Sequence, residues 1–119
     1  MKATWIFNAL GAVFGLLAVI AGAMAAHAIS DPHAAAMVEK AALYALLHAG
    51  LLVVWSGTGV LALVIRLTMT GGIVLFSGSI IGKYVFDLYA LSALAPTGGV
   101  LLMVGWALLI LYAILNRRT

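Results

Sequence analysis

The chain has 119 residues, 66% of them hydrophobic and 8% charged, and a domain of this length buries only about two thirds of its unfolded surface. The leftover apolar side chains would face water, so a soluble globule is excluded and the mean hydropathy of +1.26 points to lipid as the solvent. Six basic and three acidic residues give a formal charge of +3, too sparse for a nucleic-acid surface, and the absence of cysteine removes disulfides, thiolate nucleophiles, iron–sulfur ligation and Cys-based zinc sites.

A membrane-spanning helix needs about 20 mostly apolar residues, and the chain supplies four such stretches. The first runs from about Thr4 to Ala28, broken only by Asn8. Ser30-Asp31-Pro32 then turns the chain, because Ser30 or Asp31 can cap a helix and Pro32 suits a first turn that needs no amide donor. A second span, about 34–56, reaches Trp55 and weakens at Ser56-Gly57-Thr58-Gly59, before an apolar piece that ends at Arg66. The third span is predicted over 67–86 and the fourth over 97–115, opened by Pro96 after an interfacial segment from Asp87 to Ala95. The expected fold is all-α: one domain over 1–119, a polytopic four-helix transmembrane bundle.

Basic residues near span ends are retained on the cytoplasmic side. Lys2, Arg66, Arg117 and Arg118 fall on the side of the termini, against Lys40 and Lys83 on the other, where Asp31, Glu39 and Asp87 also lie. Both termini are therefore expected inside. Trp5, Trp55 and Tyr112 mark the inner boundary and Tyr84 and Tyr89 the outer one, at headgroup level. Lys2 and the first segment also resemble a secretory signal, but the apolar run from Trp5 to Ala26 exceeds the roughly 7–15 residues of a signal core. A retained span is expected instead.

Lipid gives helices no hydrophobic reason to associate, so small residues must let backbones approach. Gly11, Gly15, Ala18, Gly22 and Ala25 form one stripe on the first span; Gly71, Gly78 and Gly82 recur on the third, and Gly98 and Gly105 on the fourth. These are read as intramolecular packing sites rather than an oligomer seam.

Ionisable and polar residues at membrane depth are the candidates for function. His27 lies near the outer end of span one, and His48 lies inside span two, one turn after Tyr44. Their heights differ by roughly 16 Å at 1.5 Å per residue, too far for both to ligate one haem iron. Bonds to a neighbouring backbone or side chain are the simpler expectation, and His33 in the turn is expected to be solvated. Lys83 and Asp87, four residues apart, can pair on one helix face or serve an ion path. Glu39 and Lys40 read as an exposed rim. Ser77 and Ser79 place two hydroxyls mid-span, where bonds to the preceding turn or the next helix are the usual outcome. No paired carboxylates, metal-spaced histidines or phosphate-binding glycine loop are present, so catalysis is expected only within a larger assembly, and no cofactor is expected.

Gly22-Ala23-Met24-Ala25-Ala26-His27-Ala28, Tyr44 with His48-Ala49, Phe76-Ser77-Gly78-Ser79, and Pro96-Thr97-Gly98-Gly99 with Gly105-Trp106 follow one another along the chain. In this order they resemble the small bacterial membrane proteins grouped as domain of unknown function 423, relatives of the eukaryotic transmembrane protein 256. The resemblance covers nearly the whole chain and implies four spans and an inner-membrane location, without an activity, cofactor or substrate. Two features depart from the family pattern: Met24-Ala25 replaces a phenylalanine-glycine pair, and isoleucines replace a tyrosine that often follows the FSGS motif. The leading expectation is a structural or accessory subunit, with the bilayer and a membrane protein or further copies of this chain as partners. Small transporters are similar in size, but those that export drugs use an acid in their first span, and none stands there. A haem-carrying anchor is the third reading.

Overall fold

The computed structural model describes residues 4–117, leaving Lys2 and Arg118 of the orientation count outside the described residues. Its elements are α1 (Thr4–His27), α2 (Pro32–Val54), α3 (Val60–Ile73), a π-helical turn (Val74–Gly78), α4 (Ser79–Phe86), a 3-10 segment (Tyr89–Leu94) and α5 (Ala95–Leu115). α3, the π turn and α4 form one continuous 27-residue helix. With α1, α2 and the segment from Tyr89 to Leu115 it makes four helices long and apolar enough to cross a membrane.

Local chemistry explains the ends. Asp31 caps α2 by accepting from the Ala34 amide at 3.0 Å, with Pro32 in the first turn. At the far end of α4, Asp87 takes a left-handed conformation (φ 58) and the Leu88 amide returns to Gly82 O at 3.0 Å, closing the helix. Gly59, at φ 97, turns the chain into α3 through a conformation that a side chain would strain.

The third span begins at Val60, earlier than the predicted 67, and Arg66 lies within it rather than in a loop. A basic residue was expected to mark a boundary. Here the side chain folds back into the bundle, and the five residues Trp55 to Gly59 suffice as connection.

Residues buried inside the protein make up 39% of the apolar windows of the second and third spans, against 22% and 17% for the first and fourth, so the middle two spans form the interior. α1 lies along α2 through Ala18, Ala21 and Ala25 against Val38, Ala42 and Ala45. α5 lies along α3 and the π turn. The α2 and α5 backbones scarcely approach one another.

Candidate functional site

His48 occupies the middle of the bundle and is 4% exposed. Its Nδ1 lies 2.6 Å from Tyr44 O, and its Nε2 accepts the indole N–H of Trp106 at 2.9 Å. Indole can only donate, so the hydrogen sits on Nδ1 and both ring nitrogens are spent. An iron at Nε2 would have to displace Trp106. Tyr44, one turn earlier, stacks on Phe76 with ring centroids 5.3 Å apart.

Ser77 explains the π turn. The extra residue in that turn directs its hydroxyl across to α2, where it donates to Ala41 O at 2.7 Å. Ser79 instead donates to Phe76 O, within its own helix, at 3.0 Å. The turn is also where α5 comes nearest: a Cβ on Gly98 would overlap the Phe76 backbone nitrogen and lie 2.6 Å from the Leu75 carbonyl carbon.

The end of the bundle that holds the α1–α2 turn is more open. His27 is exposed at the end of α1, away from His48 and Ser77. His33, also exposed, bonds the Tyr84 hydroxyl at 3.3 Å. The Lys83–Asp87 pair does not form. Asp87 leaves the helical path at its left-handed turn and accepts from the Tyr89 hydroxyl at 3.3 Å, while the Lys83 ammonium sits 4.9 Å from the centroid of the Tyr84 ring. Among the described residues no three His, Asp or Glu side chains converge.

The small-residue stripes are used unevenly. Gly11 meets Ala49 O and Leu52 Cβ, Gly82 meets Leu91, Gly105 meets Met69, and Gly22 comes within 4.0 Å of Ala42. Gly72, absent from the sequence reading, faces Leu102, while Gly15 and Gly78 have nothing within 4 Å of an added Cβ.

Arg66 is the functional-looking residue that sequence reasoning misplaced. It is 1% exposed, donates to Trp55 O at 3.1 Å and lies 4.7 Å over the Trp55 ring. Trp55 ends α2, so the cation meets both an aromatic face and the negative end of a helix dipole. The same ring packs edge-on against Tyr112, whose hydroxyl accepts the Thr58 amide at 3.0 Å. Arg66 thus ties α3 to the end of α2, and Trp55 ties that end to α5, although Arg66 Nε and Thr70 Oγ1 stay buried without a partner.

Between α2 and α5 a lateral cleft remains, floored by the π turn and α4. One section, about 640 Å³, has Lys40 and Lys83 in its wall; the other, about 400 Å³, reaches Tyr44, His48 and Trp106. Phe76, Gly99 and Met103 line both.

The model of the family described as protein of unknown function DUF423 matches residues 21–99. The UPF0382 membrane protein of Staphylococcus epidermidis strain ATCC 12228 is similar to the chain, 35% identical over 115 residues, covering 89% of this chain and 93% of the relative. Those of Staphylococcus saprophyticus, at 34% identity with 89% and 94% covered, and of Staphylococcus aureus, at 33% identity with 89% and 93% covered, are similar to it as well. No solved structure matches. With four apolar helices of spanning length and relatives aligned along nearly their whole length, the chain is a multi-pass bacterial membrane protein and belongs to the DUF423 family.

Proposed function

We propose that the protein is a non-enzymatic structural or accessory subunit that packs laterally within a larger complex of the bacterial inner membrane, both termini facing the cytoplasm. One observation carries this reading: the mid-span side chains of His48 and Ser77 are spent inside the bundle, whereas Gly15 and Gly50 stand idle. His48 gives both ring nitrogens to Tyr44 and Trp106, and Ser77 gives its hydroxyl to Ala41. A solute path would need such groups free. Gly15 and Gly50, by contrast, meet nothing within 4 Å, yet each weakens its helix by roughly 0.5–1 kcal/mol relative to alanine. In lipid, a glycine on a helix face is useful where another helix backbone comes close.

The test is a photo-crosslinking residue at Leu16, beside Gly15, in cells expressing the full chain. The expected result is one discrete adduct with a different membrane protein, reduced severalfold by Gly15→Leu. Adducts with lipid alone, or a species of two copies, would overturn the reading. Orientation is checked against the cysteine-free background: an impermeant thiol reagent on intact cells should label Ser30→Cys and spare Asn116→Cys.

A further inference from the structure

We propose that the cleft between α2 and α5 seats one anionic phospholipid from the surrounding leaflet, its phosphate held by Lys40 and Lys83 and an acyl chain lying past Phe76 towards Trp106. This does not rest on the accessory-subunit reading.

Charge is the first support. Lys40 and Lys83 come from different helices and line the same section of the cleft. None of the three acids lines it: Asp31 is spent on the cap of α2, Asp87 is bonded by Tyr89, and Glu39 lines the groove between α1 and α2 and a separate depression beside Lys40 and Tyr44. The section therefore holds two positive charges and no negative one. Lysines at a membrane boundary commonly extend into the headgroups as independent chains. Lys83 is instead directed, because its ammonium rests on the Tyr84 ring, which is itself tied through its hydroxyl to His33.

Shape is the second. Below the lysines the wall is apolar, with Phe76, Ile80, Val100 and Met103. Gly99 contributes no side chain, and the cleft continues into the section bounded by Tyr44 and Trp106. Lys40, Tyr44 and His48 are spaced four residues apart on one face of α2 and mark a path of about 12 Å, enough for the upper part of an acyl chain. Because the α2 and α5 backbones stay apart, a lipid can enter sideways without parting packed helices. A protein helix would fit the apolar wall but would strip water from two lysines and return no charge. A zwitterionic lipid would bring its own cation to the same site.

The experiment uses the full chain, purified in neutral detergent, exchanged against mixed micelles holding equal phosphatidylglycerol and phosphatidylcholine, and examined by native mass spectrometry. One phosphatidylglycerol should be retained in preference to phosphatidylcholine, and the preference should fall about fivefold for each lysine removed in Lys40→Gln and Lys83→Gln. The Lys40→Arg, Lys83→Arg double variant should restore it. Gly99→Leu, with both lysines intact, should reduce retention by blocking the tail. Helical circular dichroism confirms that each variant is folded. Equal retention of the two lipids, an undiminished preference in the double glutamine variant, or equally good binding of tail-less glycerol phosphate would overturn the proposal.

Discussion

The two sides of α2 solve opposite problems with the same helix. Towards α1 it presents Ala42, Ala45, Ala49 and Leu52, small or closely fitted side chains, and the helices lie close enough for Gly11 to sit 2.9 Å, measured from an added Cβ, from Ala49 O. Towards α5 it presents Lys40, Tyr44 and His48, long side chains that hold the neighbour away and leave a cleft. Side-chain size on one helix thus decides which pair closes and which stays open, as expected where lipid supplies no pressure to fill gaps.

Four substitutions break or sharpen this contrast, and unfolding titrations in detergent read all of them. The largest effect is expected for Arg66→Ala, which releases the clasp on the C-terminal end of α2: a charged hydrogen bond and a desolvated cation–π contact go together, about 3 kcal/mol. Retained stability would show that the buried cation holds nothing. Gly11→Val should cost about 2 kcal/mol by driving a branched side chain into Ala49 and Leu52 on the closed side. On the open side Trp106→Phe removes the sole direct bond seen between α2 and α5 side chains among the described residues; about 1 kcal/mol is expected, the usual worth of such bonds in membrane bundles. Gly15→Ala should raise stability by about 0.5 kcal/mol, since the added methyl meets nothing. A loss at Gly15 comparable to that at Gly11 would erase the distinction between used and idle glycines.

Much of the fold was legible because apolar length and the Asp31-Pro32 signal are local. The cap at Ala34 and the helix ends near His27 and Phe86 follow directly from them. Arg66 was misread because its neutralisation is not local. Trp55, eleven residues earlier, supplies the ring and the carbonyl, and no spacing rule announces such a contact. Lys83 and Asp87 have the spacing of a helical pair, yet the left-handed turn at Asp87 lies in backbone geometry that composition does not encode. His48 was legible as bonded, but Trp106, 58 residues away, could be named only from the fold. Gly72 was missed because its partner Leu102 belongs to another span. The cleft itself has no sequence signature, being the space left between α2, the π turn with α4, and α5.

The π turn at Val74–Gly78 carries a consequence for the long helix it interrupts. One residue corresponds to about 100° of rotation along an α-helix, so the added residue works as a phase shifter between the two halves. Arg66 can then point to the clasp at Trp55 while Lys83 points to the cleft, and deleting one residue from Val74–Gly78 would regularise the helix yet swing one of the two out of alignment.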